Sequence, residues 1–327
     1  MEHGILEWGG FLAFVLAMLA LDLGVFHRKD HVVGTREALG WSAVWVALAL
    51  AFGGYVWMRH GSQSGLEFLT GYVIEKSLSV DNIFVFVVIF GALGIPPLYQ
   101  HRVLFWGILS ALVLRGAMIG AGAALLSRFH WIIYVFGAFL VLTGVKLLWA
   151  RGGAAHPEES ALFRWMRRVI PAHPRLDGNH FFTKVDGRWL ATPLFFALAL
   201  IEVTDVIFAV DSIPAIFAVT SDPWIVFTSN VFAILGLRSL YFLLAGVVEK
   251  FTYLKPSLAV VLMFVGAKMA LIDVVKIHAA VSLGVVLAIL TVGVVASVVR
   301  NRRVAREAAR RELPAAAAPV GASAEAR

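Results

Sequence analysis

The chain has 327 residues, 60% of them hydrophobic and 15% charged, with a mean hydropathy of +0.84. Soluble domains are about half apolar and a quarter charged, so an ordinary soluble domain is excluded and a polytopic membrane protein is indicated. There is no cysteine, which excludes thiolate ligands, disulfides and thiol redox chemistry on this chain, and the net charge of +7 is distributed as membrane topology requires.

The first apolar run follows Met1-Glu2-His3-Gly4-Ile5-Leu6-Glu7. No basic region precedes it, so it is read as a retained span rather than a signal peptide. Nine spans are predicted, at 6–26, 38–58, 68–93, 102–124, 130–150, 192–219, 225–247, 257–274 and 278–299. The chain thus divides into spans 1–5 (1–150), a basic cytoplasmic linker (151–191), spans 6–9 (192–299) and a cytoplasmic tail (300–327). Within the linker, His180 to Leu190 reads as a hairpin about an Asp186-Gly187 turn. The tail starts as an Arg-rich helical extension and ends in Ala/Pro-rich sequence expected to be disordered.

Twenty of the 28 Lys and Arg fall in one set of loops, and only Arg59, Arg128 and Lys276 in the other. The positive-inside rule then puts the N-terminus outside and the C-terminus in the cytoplasm. Topology and contact with the anionic lipid bilayer account for the basic clusters, and no nucleic-acid partner is expected. Lys76, Arg115, Lys146, Arg238 and Lys268 lie inside spans.

Acids also lie inside spans: Glu75 and Asp81 in the third, Glu202, Asp205 and Asp211 in the sixth. Each charge at the bilayer centre costs about 3 kcal/mol on insertion scales, so such residues need partners. The two segments align: Glu75-x5-Asp81-Asn82-Ile83 matches Asp205-x5-Asp211-Ser212-Ile213, 130 residues on. Leu114-Arg115 likewise matches Leu237-Arg238, and Gly144-Val145-Lys146 matches Gly266-Ala267-Lys268. Spans 3–5 (68–150) and 6–8 (192–274) run in opposite senses, which predicts a 3+3 inverted repeat in an all-α fold, with a site at the repeat interface.

The donors available there are Glu75, Asp81, Asn82, Glu202, Thr204, Asp205, Asp211 and Ser212. Oxygen sets of this kind suit Mg2+, Ca2+ or Mn2+ rather than copper or zinc. On an ideal helix, acids six apart are splayed by about 120°. Local unwinding at Pro214, which cannot donate to the Val210 carbonyl, would redirect them. Arg115 and Arg238 are expected to pair with these acids and to close the site when the cation leaves. Lys76 is a counter-ion to Glu75. Lys146 and Lys268 lie near span ends, where snorkelling explains them as well as function does. Asp22, near the cytoplasmic end of span one, is read first as exposed at the membrane interface, with a cap or gate role as the alternative. Two other readings stay open: the acids as purely structural partners of the arginines, or as a proton relay.

The chain resembles the TerC family of membrane proteins, which includes manganese exporters. The resemblance runs from Leu21 to Val299 and is carried by Leu21-Asp22-Leu23-Gly24-Val25-Phe26-His27-Arg28, by Glu75 to Phe86, by Ile201 to Pro214, and by Ser229 to Arg238. It implies a bacterial inner-membrane protein that exports Mn2+ as substrate, with no cofactor and no enzymatic activity. The family is also associated with tellurite resistance, but an acid-lined site repels an oxyanion. The rival expectation is a non-transporting membrane partner in tellurite or metal stress, or in metallation or insertion of exported proteins.

Overall fold

The computed structural model describes residues 4–24, 34–129, 131–149, 161–245, 252–274 and 277–312, without the side chains of 21–24, 81, 161–162 and 305–312. Its helices are α1 (Ile5–Gly24), α2 (Thr35–His60), α3 (Ser62–Ala92), α4 (Pro97–Arg128), α5 (Ile132–Trp149), α6 (Ala161–Val169), α7 (Pro193–Phe217), α8 (Pro223–Leu235), α9 (Leu237–Leu244), α10 (Leu254–Ala270) and α11 (Ala279–Glu312). Prolines open α4, α7 and α8, where the missing N–H costs nothing. Asp222 caps α8, its carboxylate accepting from the Trp224 N–H at 2.9 Å.

Among the described residues each predicted span overlaps a helix, the seventh overlapping α8 and α9 together. By length and apolarity alone, five described helices can cross a membrane: α2, α4, α5, α7 and α11. The bent pair α8–α9 makes six. The 31-residue α3 is long enough but carries Glu67, Glu75, Lys76 and Asp81. Val113, Leu142, Ile207 and Val292 point outward from the bundle, where lipid rather than water is the fitting solvent. The result is an all-α polytopic membrane architecture.

Helices in lipid associate by close packing, since lipid is as apolar as their side chains. The tightest contact is α5 on α10. A Cβ at Gly137 would stand 2.9 Å from the Gly266 carbonyl oxygen, and one at Gly144 would stand 2.7 Å from that of Ala259. The backbones therefore touch. Elsewhere α3 packs on α2, α7 and α8, α4 on α7 and α8, and α11 on α3 and α10.

Two sequence expectations change. First, α7 runs unbroken through Pro214 to Phe217. Pro214 sits in the last turn, and its neighbours Ile213, Ala215, Ile216 and Phe217 are buried in one apolar cluster that holds that turn helical. The break comes instead at Gly236, where α8 and α9 meet at 41°. Second, the linker holds a short helix, α6, that was not foreseen. Phe163 and Met166 bury one face of it, Phe163 lying edge-on to Phe196, while Arg164, Arg167 and Arg168 are exposed. The expected hairpin forms from β1 (Phe182–Val185) and β2 (Arg188–Ala191). Asp186 and Gly187 both have positive φ, +50 and +80, the type I′ pattern that matches strand twist. The tail beyond Glu312 lies outside the described residues.

Candidate cation site

Helical periodicity puts Glu75, Ser79 and Asn82 on one buried face of α3. The residues 130 positions on, Asp205, Ala209 and Ser212, form a buried face of α7. Between the two helices stands Arg115 of α4. Its Nε donates to Asp205 Oδ2 at 3.0 Å and its Nη2 to Asp205 Oδ1 at 2.7 Å. This is the two-pronged fit of a guanidinium on a carboxylate. Its Nη1 donates to Glu75 Oε1, with Ser212 Oγ at 3.5 Å. Glu75, Arg115 and Asp205 are 1%, 2% and 5% exposed. A buried pair like this is held because each charge alone would be far costlier. Two carboxylates on one guanidinium leave the group one negative charge in excess.

Four buried oxygens on these and adjoining helices have no hydrogen-bond partner among the described residues: Glu75 Oε2, Asn82 Oδ1, Asn230 Oδ1 and Glu202 Oε2. Unmatched acceptor oxygens are what a hard cation takes. They lie on α3, α7 and α8, helices that pack on one another.

The remaining acids of α7 diverge, as an unbroken helix requires. Glu202 accepts from Ser110 Oγ of α4. Asp211 instead faces α5, where Thr143 Oγ1 lies 3.4 Å from its Oδ1 and Lys146 is near enough to act on it electrostatically. Thr204 bonds back to the Ile201 carbonyl of its own helix at 2.9 Å. Lys76, expected as a counter-ion to Glu75, donates instead to the Ala233 carbonyl of α8 at 3.1 Å. Lys146 is exposed in the last turn of α5, and Lys268 is half-buried in the last turn of α10. Arg238 is buried in α9. The side chains of Asp22 and Asp81 lie outside the described residues.

The structure therefore gathers Glu75, Asp205 and Ser212 about Arg115, and leaves Glu202 and Asp211 with separate partners. Among the described residues, no three His, Cys, Asp or Glu side chains are grouped closely enough to hold a metal ion. Asn230, Ser110 and Thr143 were not singled out from sequence. Asn230 carries a readable signal, an amide amid an apolar run, whereas Ser and Thr usually bond their own helix and give none.

Carboxylates from two membrane helices closed on one buried guanidinium define an integral membrane protein organised around an intramembrane charge cluster. The chain belongs to the integral membrane protein TerC family, whose model matches residues 60–305. It is 66% identical over 295 residues to a Myxococcus xanthus protein described as an uncharacterized membrane protein, STKORF319, covering 90% of this chain and 92% of the relative. It is 50% identical over 294 residues to Alx of Escherichia coli K12, named as a proposed membrane-bound redox modulator, covering 87% and 92%. A Rickettsia bellii membrane protein is 41% identical over 302 residues, covering 92% of this chain and all of the relative. No solved structure matches the chain.

Proposed function

We propose that this protein is a secondary transporter that exports a divalent cation, Mn2+ foremost, from the cytoplasm across a bacterial inner membrane. It has nine spans, the N-terminus outside and the C-terminus inside. Spans 3–5 and 6–8 are inverted repeats. The observation that carries this reading is the closure of Glu75 and Asp205, equivalent residues of the two repeats, on a single cationic group.

The packing supports the repeat independently of the acids. The contacts Gly137 to Gly266 and Gly144 to Ala259 exchange when each α5 residue is replaced by the α10 residue 122 positions on. The pairs α3–α8 and α4–α7 exchange in the same way. A two-fold relation between the halves would produce this pattern. Inverted repeats of this kind rock about a midplane site.

In this conformation the Arg115 guanidinium occupies the position between the carboxylates. A divalent ion would take its place and bring the excess charge to neutrality, drawing on the unmatched oxygens of Glu75 and Asn82. Glu202 and Asp211, which have separate partners, would join only after rearrangement. Moving two charges out against an inside-negative potential costs about 4.6 kcal/mol per 100 mV. Proton entry through the same carboxylates is the simplest coupling.

The test is Mn2+ flux in proteoliposomes, wild type beside Asp205→Asn. Flux in the wild type and a loss of at least about tenfold in the variant support the reading; equal flux in both contradicts it.

The second reading is a non-transporting membrane partner, in which Arg115 and the acids are structural. The lack of a grouped metal-ligand set among the described residues favours it. A redox role, as in the name of the Alx relative, would have to run without thiols here. On that reading, removing the tail after Arg300 abolishes activity; a transporter keeps its flux.

A further inference from the structure

Beside Asp205, on the side facing the N-termini of α4 and α7, lies a void of about 10 Å³. Its walls are apolar: Phe86, Leu104, Ile108 and, from the bent pair, Ile234 and Leu237. That volume fits about one water and no hydrated ion. The two residues from the bent pair flank Gly236, so the 41° bend lies in the wall of the void.

The break at Gly236 frees backbone groups. In an unbroken helix the Ala233 carbonyl would accept from the Leu237 N–H. Here it accepts from Lys76 Nζ at 3.1 Å. The ammonium thus replaces a lost helix bond and lies at the negative end of α8. Space about the bend is tight: a Cβ at Gly236 would stand 2.9 Å from Lys76 Nζ and 3.0 Å from Trp45 Cβ. Further along α9, Tyr241 Oη donates to Gln100 Oε1 of α4 at 2.8 Å.

We propose that α9 is a hinged wall on the cytoplasmic side of Asp205, turning about Gly236, and that Lys76 is the positioning residue that latches it shut. This deepens the transport reading and rests on it. While Lys76 holds the Ala233 carbonyl, that carbonyl is kept from the Leu237 N–H and the bend is kept in place. Its release lets the Leu237 N–H pair with Ala233, which straightens the bend, moves α9 and turns the void into an entry for the ion. Tyr241 is a second latch at the far end of the same helix. Lys76 follows Glu75 directly on α3, so a cation arriving at Glu75 acts on the latch electrostatically across one residue.

The absence of native cysteine makes the test clean. Leu237→Cys introduces a single thiol, labelled by a membrane-impermeant maleimide from the cytoplasmic face of inside-out vesicles. Labelling should be slow in the Leu237→Cys parent and about tenfold faster after Lys76→Met, the shift expected for loss of one hydrogen bond from a charged donor. Tyr241→Phe, which removes one oxygen, should also speed it, and it decides the matter if Lys76→Met does not fold. Ile119→Cys, buried in α4 away from the bend, should stay unlabelled in both backgrounds. Unchanged labelling at Leu237→Cys overturns the proposal. So does equal acceleration at Ile119→Cys, which would mean general loosening. Labelling requires neither Mn2+ nor flux. A chain that opens at α9 yet moves no Mn2+ would therefore refute the transport reading alone.

Discussion

Arg115 competes for the carboxylates that a transported cation would need. Arg115→Gln leaves Glu75 and Asp205 buried and facing each other without a counter-charge. Breaking such a pair costs about 3–5 kcal/mol, so thermal unfolding in detergent should show a marked fall in Tm. Added Mn2+ should recover part of that loss if the ion takes the guanidinium's place, and Mg2+ at equal concentration should recover less. Arg115→Lys keeps the charge but not the two-pronged geometry, and should fall between. At this scale the sequence was informative where residues were chemically rare. Glu75, Asp205 and Arg115 announce themselves as charges in hydrocarbon. Which acid meets which base was not legible, because it depends on helix rotation: Lys76 adjoins Glu75 in the chain yet reaches Ala233. Asn230 and Ser110 were passed over because polar, uncharged residues are cheap in a helix and carry a weak signal.

Among the elements, the α5–α10 pair makes the sharpest prediction. Side chains at Gly144 and Gly266 meet backbone on the other helix. Gly144→Val and Gly266→Val should each destabilise by about 1–3 kcal/mol through overpacking, read as thermal unfolding in detergent. If the halves are related by a two-fold axis, the two losses should be similar. A large loss at one site and none at the other would count against the symmetry. The helices were legible because long apolar runs have few alternatives in a membrane. The unwinding expected at Pro214 was not found, because one missing hydrogen bond in a terminal turn is easily outweighed by burial. The bend at Gly236 carries little sequence signal because Val231 to Leu237 reads as one apolar run, and only the packing of Trp45 and Lys76 against Gly236 distinguishes it. The helix α6 was hidden in a linker read for its charge.

For the whole molecule, the bias of basic residues predicts a testable orientation. A reporter fused after Arg300 should be active only as a cytoplasmic fusion, and one fused before Gly4 only as a periplasmic fusion; the reverse result would overturn the topology. Coupling is testable in the same membranes. Collapse of the inward proton gradient should reduce Mn2+ export, and export that is indifferent to it would exclude proton antiport. The proposed symmetry of the two halves rests on three charged landmarks, which stand out in the sequence because intramembrane charges are few. The void beside Asp205 was not legible there, since it is lined by Phe86, Leu104, Ile234 and Leu237, which look like any other span residues.

The most direct measurement is a calorimetric titration of the purified protein with Mn2+, wild type beside Arg115→Gln and Asp205→Asn. If the guanidinium and the metal share Glu75 and Asp205, Arg115→Gln binds Mn2+ more tightly than the wild type, by about tenfold or more for the loss of a competing charge-assisted pair, and Asp205→Asn binds it hardly at all. Equal affinity in all three, or binding in none, would contradict a cation site at these carboxylates.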